Sequence, residues 1–375
     1  MAKKFQDARS ADVIIVEGAM GIFDGPFPGK DTASTAAVAK YFGLPILLVS
    51  DARSCAQSIA AEILGAKTLL GAVPLAGVIL NFVASGRHAE LLVKGIRDLA
   101  KVPAAGCIFR DSFQAMPSRH LGLVPRIEMI NPGILYDQYA KTVSNAINID
   151  RLLRSIAARR QMPDMIHSPP PSKKCPMTVA VAMDQAFSFY YPECIEFFKS
   201  RCASVVFFSP LRDSTPPHAD LYYFGGGFPE VYAPRLAKNV SFRRDLAARL
   251  RRGGKAYAEC GGLMYLSKSI TTTDGKSHPM AGTIPGKCIM HKRRQALGYW
   301  KARIARDTLF LKKNMSLVGH EYHWSSFETD GRLRPVYIAR KIGSHDSHPG
   351  GWASNSVYAS YLHLSYLGNP LFFNR

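Results

Sequence analysis

A chain of 375 residues with 47% hydrophobic and 10% aromatic content has the composition of a folded globular protein and is long enough for two cores. Its 48 Lys+Arg against 28 Asp+Glu give a formal charge of +20; these residues are dispersed, without the aromatic-interleaved basic stripe of a nucleic-acid binder, which argues against nucleic-acid binding as the main role and leaves acidic small-molecule substrates or a general compositional bias. Neither a long apolar span nor an apolar leader with a cleavage site is found, so no transmembrane helix or secretory signal is expected, and seven scattered cysteines without CxxC spacing predict no disulfide framework or zinc site and a reducing, cytoplasmic setting.

In chain order, ADVIIVEG (11–18), PILLVSDA (45–52) and LAGVILNFV (75–83) are short apolar, β-branched runs predicted as strands. STAAVAKYFG (34–43) and CAQSIAAEILGAKTLL (55–70) are the helix-like stretches between them. Near-continuous apolar strands alternating with helices predict a parallel sheet covered on both faces. INIDRLLRSIAARR (147–160) ends the first half as a helix, and MPDMIHSPPPSKKCP (162–176), with three consecutive prolines, reads as a linker. The alternation returns in MTVAVAM (177–183), SVVFFSP (204–210), ADLYYFGG (219–226) and KAYAECGG (255–262), with SFRRDLAARLRRGG (241–254) a helix closed by glycine. The expectation is an α/β protein of two doubly wound parallel-sheet domains, residues 1–161 and 177–375. Open parallel sheets bind ligands at the carboxyl ends of their strands. That directs attention to Glu17–Gly25, Ser50–Asp51, Asn81, Gly225–Glu230 and Cys260.

Cys260 falls where a strand changes to a helix, followed by Gly261 and Gly262. A nucleophile on such an elbow stands clear of the sheet, and the next residue's N–H can stabilise an oxyanion. The helix N-terminus is expected to favour thiolate. A buried structural cysteine has the same spacing, since cysteine is among the most buried residue types. The base must come from elsewhere in the chain. GHEYHWSSF offers His320 and His323 around Glu321, and NSVYASYLHLSYLGNP offers His363; spacing alone does not choose among them.

VAVAMDQAFSFYYPE, ADLYYFGGGFPE, KAYAECGGLMYL, GHEYHWS and ASYLHLSY, in that order, resemble the triad-type glutamine amidotransferase domain of cobyrinic or hydrogenobyrinic acid a,c-diamide synthases. The resemblance implies that Cys260 attacks the glutamine carboxamide and that His363 is its base. It also implies that Gly226 and Gly227 line the glutamine pocket and, with Gly261, supply oxyanion amides. Ser365 stands where that family commonly has a second histidine, which leaves Glu259 and Glu321 open as the orienter of His363.

In the first half, VEGAMGIFDG sets Glu17 at the end of an expected buried strand and Asp24 in the loop after it. Carboxylates there are natural ligands for Mg²⁺ beside nucleotide phosphates, although Asp-Gly is also a common turn pair. This stretch, TASTAAVAKYFGLPILLVSDA, GVILNFVASGRHAELL and SRHLGLVP resemble the dethiobiotin-synthetase-like ATP-binding domain of the same family. The resemblance implies Mg²⁺ and ATP: Glu17 at the metal, Asp24 at the catalytic centre, Ser34 and Thr35 near the corrinoid carboxylate and phosphates, Asn81 near the base. It further implies a GxxxxGK[ST] phosphate loop ahead of VEG, and the sequence holds none. The expectation is therefore a synthetase domain lacking its first strand and loop, with a separate N-terminal fragment as a candidate partner and a homo-oligomeric assembly. A cobyric acid synthase-type amidase and a non-catalytic corrinoid-binding protein stay open as alternatives.

Overall fold

The computed structural model describes residues 8, 10–26, 33–113, 116–119, 122–157, 175–329, 331, 333–354, 356–365 and 368–369. The chain divides into two compact units, residues 1–168 and 169–375. Most of the linker expected at 162–176, and the end of the helix expected at 147–160, lie outside the described residues.

In the first unit, α1 (Thr35–Phe42) starts at Ser34, whose hydroxyl accepts the Ala37 N–H, and stops at Gly43 with φ 63°. Both ends follow local capping chemistry. Then come β1 (Ile46–Asp51), α2 (Ile59–Leu70), β2 (Leu75–Val83), α3 (Gly86–Gly95) and β3 (Ala104–Phe109). A two-residue ladder, β4 (Ser118–Arg119) with β5 (Gly122–Leu123), precedes α4 (Pro132–Ala146) and α5 (Ile149–Ala157). The sheet is parallel in the order β1-β2-β3, with Leu48 opposite Val78 and Asp51 opposite Asn81. Val78 and Leu80 pack against Ile63 and Leu92 on one face, while Ile79 packs against Val143 and Leu152 on the other. Both faces are covered, which is why β1 and β2 are legible as unbroken apolar runs.

Two expectations need correction. Among the described residues this sheet runs in sequential order without reversal, so the doubly wound reading does not describe the first unit. Residues 13–18 form no strand, and Ile15 is 89% exposed. A strand requires a hydrogen-bonded neighbour. This apolar run finds none among the described residues and stays irregular and largely exposed.

The second unit contains β6 (Cys175–Ala182), α6 (Pro192–Arg201), β7 (Cys202–Phe208), β8 (Leu221–Phe224), α7 (Ala233–Lys238), α8 (Val240–Arg251), β9 (Lys255–Glu259) and α9 (Gly261–Leu266). A β-rich stretch follows: β10 (Ser269–Thr271), β11 (Ser277–Pro279), β12 (Gly286–Met290), β13 (Ala296–Ile304), β14 (Ser316–His323), β15 (Ser325–Thr329), β16 (Tyr337–Lys341) and β17 (Ser347–Gly350). The unit closes with β18 (Trp352–Ala353), β19 (Val357–Ser360) and β20 (His363–Leu364).

The central sheet has the order β18-β19-β9-β8-β6-β7, parallel except for edge strand β18. From β6 the chain moves outward to β7 and then back past β6 to β8, so the order reverses between β6 and β8. The crevice outside the carboxyl ends of such a pair is the ligand position of doubly wound sheets. Two further sheets, the mixed β11-β10-β12-β15 and the antiparallel β17-β16-β13-β14-β20, were not anticipated from the sequence. The larger packs Trp300, Ala302, Leu317 and Tyr337 onto the central sheet's Val179, Val181, Tyr223 and Tyr257. The chain crosses from the central sheet to this second layer between Ser360 and His363. That corner brings the end of β9 and the start of β20 together.

Candidate functional site

Cys260 ends β9 and caps α9 with φ 46° and ψ −100°. A positive φ at a residue with a side chain costs on the order of 1–3 kcal/mol and is held only where the surroundings over-determine it. Here its N–H donates to Ser360 O (2.7 Å) and its carbonyl accepts the Met264 N–H (3.1 Å). Next to it, the Gly227 N–H meets no protein acceptor among the described residues. A β-carbon at Gly261 would fall 3.0 Å from that nitrogen. The elbow therefore sets the Gly227 amide beside the backbone of Gly261, the residue after Cys260.

The loop carrying Gly226 and Gly227 is fixed from β6. Buried Asp184 accepts the Ala186 N–H through Oδ1 (2.8 Å), and the Ser209 hydroxyl (2.8 Å) and Leu211 N–H (3.1 Å) through Oδ2. The turn it shapes receives Phe228 N–H at Ala186 O and sends the Ser188 and Phe189 N–H groups to Gly226 O. Asp184 was not singled out in the sequence, although a carboxylate just past a buried strand is a signal that could have found it.

His363 is buried against this loop. A β-carbon at Gly226 would fall 2.4 Å from its Cε1, so only glycine permits the approach. Its Nδ1 lies 3.8 Å from Oε2 of Glu259, and the adjacent Leu364 N–H donates to Glu259 Oε1 (3.1 Å). Glu259 also receives the hydroxyls of Tyr257 (2.6 Å) and Tyr223 (3.3 Å). Burial pushes the Glu259 carboxyl up to about 7, against those three hydrogen bonds. His363 is pushed down to about 3 by burial, then by neighbouring His320 and His323.

Burial also raises the Cys260 thiol far above its ordinary value, reinforced by the Glu230 carboxylate, and the Gly261 N–H only partly opposes it. The expected thiolate bias is thus corrected. α9 has six residues and little dipole to offer, while desolvation penalises the charged form directly. The resting pair is a neutral thiol and a neutral imidazole, an arrangement suited to general-base activation of a nucleophile.

The other carboxylate, Glu321, belongs to a separate cluster. Its Oε2 lies 3.0 Å from Nε2 of His348 and 3.6 Å from Nε2 of His323. Burial would raise it, but those imidazoles hold it down to about 2. Of the two acids left open by the sequence, Glu259 faces His363 Nδ1. Ser365 turns elsewhere, its hydroxyl donating to Glu193 Oε1 (3.0 Å). His320, offered by the sequence as a base alongside His323 and His363, lies face to face with the His363 ring.

In the first unit, Glu17 and Asp24 are both exposed. Asp24 N–H closes a turn onto Gly21 O (3.0 Å), while Ile22 O accepts the Ala36 N–H (2.9 Å). A β-carbon at Gly18 would fall 2.5 Å from Thr35 Oγ1, so the residue after Glu17 lies on the start of α1. Carboxylate and hydroxyl oxygens form a donor set that suits Mg²⁺. Ser34 is 1% exposed, and its hydroxyl accepts the Ala37 N–H as the cap of α1. Asn81 lies in β2 opposite Asp51, two residues before the strand's end, and its Oδ1 accepts the Phe82 N–H (3.0 Å). Among the described residues no three His, Cys, Asp or Glu side chains gather for a metal ion. A cation here would share its ligands with nucleotide phosphates, as Mg²⁺ commonly does.

Comparison with known proteins gives the following. The family described as "CobB/CobQ-like glutamine amidotransferase domain" matches residues 178–371. The cobyrinate a,c-diamide synthase of Streptococcus sanguinis is 38% identical over 362 residues, covering 95% of this chain and 78% of the relative. That of Listeria monocytogenes is 37% identical over 367 residues, covering 96% and 80%. A crystal structure of a glutamine amidotransferase overlaps 49% of this chain and 89% of its own, at 15% identity and a TM-score of 0.35.

Proposed function

The chain belongs to the cobyrinate a,c-diamide synthase family, and on that premise we propose how its residues divide the reaction. The activity is ATP-dependent amidation of the a and c carboxylates of cobyrinic or hydrogenobyrinic acid, with ammonia drawn from glutamine, in cobalamin biosynthesis. It is a C–N bond-forming ligase. The cobyric acid synthase-type and non-catalytic alternatives are not favoured.

Ammonia production is assigned to the second unit. Cys260 Sγ attacks the glutamine carboxamide carbon as His363 takes the thiol proton. The Gly227 and Gly261 N–H groups hold the oxyanion, an interaction worth about 3–4 kcal/mol per donor in comparable sites. Collapse of the tetrahedral adduct breaks the C–N bond, and the proton on His363 leaves with ammonia. Water then attacks the glutamyl thioester, His363 again taking a proton, to release glutamate and restore the thiol. Glu259 faces Nδ1 and favours the imidazolium formed in each half-reaction.

Amidation is assigned to the first unit. A substrate carboxylate oxygen takes the γ-phosphoryl group of ATP, and ammonia displaces phosphate to leave the amide. Glu17 and Thr35 would hold Mg²⁺ with the nucleotide, Asp24 would face the reacting carboxylate, and Asn81 the base. Bound Mg²⁺ would neutralise phosphate charge. The phosphate cradle is assigned to residues outside these 375, which contain no GxxxxGK[ST], whether on the same polypeptide or a separate fragment. No helix among the described residues is long and apolar enough to cross a membrane; we assign the protein to the cytoplasm and expect it to self-associate.

The observation that carries the glutaminase assignment is the strained Cys260 elbow, which follows directly on Glu259, the acid that faces His363 Nδ1. Its test is ammonia release from glutamine by wild type and Cys260→Ala: loss in the variant supports the assignment, and equal rates sink it.

A further inference from the structure

His320 has no part in the scheme above, yet its ring lies face to face with that of His363. The centroids are 4.7 Å apart and the planes 10° from parallel. The contact is built by strand register, since β14 and β20 pair antiparallel with His320 opposite His363. Cross-strand partners share one face of a sheet, so their rings meet without any special loop. His320 is in turn fixed from another element. The Tyr191 hydroxyl, at the start of α6, lies 3.0 Å from its Nδ1, and the Tyr191 ring meets it edge-on at 6.1 Å. Tyr299 of β13 meets it at 63° on a centroid distance of 6.5 Å.

We propose that His320, anchored by Tyr191, is a positioning residue of the glutaminase reaction: its ring fixes the plane in which His363 presents Nε2 to Cys260. This rests on the glutaminase reading above. His363 is then bounded on three sides, by Glu259 from β9 at Nδ1, by the Gly226 backbone from the loop after β8 at Cε1, and by His320 from β14 across its face. The ring nitrogen turned away from Glu259 is Nε2. His323, the other histidine of the GHEYH stretch, stacks on Tyr361 at 3.8 Å and lies beside Glu321, so the two imidazoles of that motif serve different neighbours.

A second consequence follows from charge. Burial lowers His320 below its ordinary value, with Glu321 only partly opposing. The groups facing or acting on His363 are Glu259, His320, His323 and Glu321. Burial is the largest cause of its weakened basicity and His320 the next. Removing that imidazole raises the His363 value, leaves less of the neutral base at acidic pH, and moves the acidic limb of kcat upward.

The test uses the full chain and glutamine, with ammonia release as the assay. A misplaced group can cost on the order of 100-fold, so His320→Ala is expected to lower kcat by about 10–100-fold with KM for glutamine little changed. Tyr191→Phe, which keeps the ring and removes the anchor, is expected to lose about 3–10-fold on the same argument. His320→Phe restores part of the rate, because a flat ring is back, but keeps the shifted acidic limb. Wild-type kcat and pH profile in both His320→Phe and Tyr191→Phe overturns the proposal, even if His320→Ala fails to fold. Wild type that releases no ammonia, or Cys260→Ala that releases it normally, sinks the glutaminase reading instead.

Discussion

The two units carry acids of opposite character. In the second unit Glu259 and Glu321 are each 1% exposed, and every neighbour that tunes them is a side chain or amide of the same unit. In the first unit Glu17 and Asp24 face solvent. The contrast separates two ways of making a site. A covalent catalyst must hold a nucleophile, a base and an oxyanion cradle in register before substrate arrives, and burial enforces that. A nucleotide and metal site uses acids whose principal partners are the ligand itself.

The largest effect that sharpens this contrast is chemical. Cys260→Ala is expected to cut glutamine-dependent ammonia release on the order of 10⁴-fold or more, as removal of a covalent nucleophile does elsewhere. A loss below about tenfold, measured by coupled ammonia assay, would break the comparison by making the buried cluster structural.

Next is stability. Glu321→Gln leaves two imidazoles facing an uncharged amide in a buried setting, and breaking a buried pair costs about 3–5 kcal/mol. The loss is read as a lower denaturant midpoint for the second unit. The pH dependence has a definite sign. Glu321 is held at about 2 against an ordinary 4.5, so its contribution is complete above about 4.5 and disappears as pH falls towards about 2. Glu321→Gln is expected to flatten the acid limb of midpoint against pH in that window; an unchanged limb contradicts the cluster's role.

Smaller is the cap of α1. Ser34→Ala removes the acceptor of the Ala37 N–H and is expected to cost about 1 kcal/mol in the first unit. Retention of full stability would show that this hydroxyl contributes nothing to holding the start of α1. Smallest are Glu17→Gln and Asp24→Asn, expected to shift unfolding by no more than about 0.5 kcal/mol, as exposed substitutions do. A shift above about 2 kcal/mol in either would show that these acids are structural.

How much of this was legible depended on which force shaped each segment. PILLVSDA, LAGVILNFV, MTVAVAM and KAYAE are strands because both sheet faces are covered, and the sequence records that as unbroken apolar runs. ADVIIVEG has the same composition and no strand, because composition does not say whether a pairing neighbour exists. The β-rich layers between Ser269 and Gly350 escaped notice because half of each strand faces outward, as the alternating burial of Ala296–Ile304 records. Cys260 was visible from its two following glycines. Glu259 was one of two acids left open as the partner of His363, and the sequence could not choose, since Glu259 and His363 lie 104 positions apart and meet only where the chain changes sheets after Ser360. The His320 contact is set by β14–β20 register, which no short motif encodes.

The central claim is that the buried Cys260 is the group that attacks glutamine. It is tested most directly by treating the full chain with a glutamine analogue carrying an electrophilic carbon in place of the carboxamide, followed by peptide mass spectrometry. The account predicts one adduct per chain, on Cys260 among the seven cysteines, slowed by excess glutamine. Modification at another cysteine with Cys260 untouched, or labelling indifferent to glutamine, would contradict it.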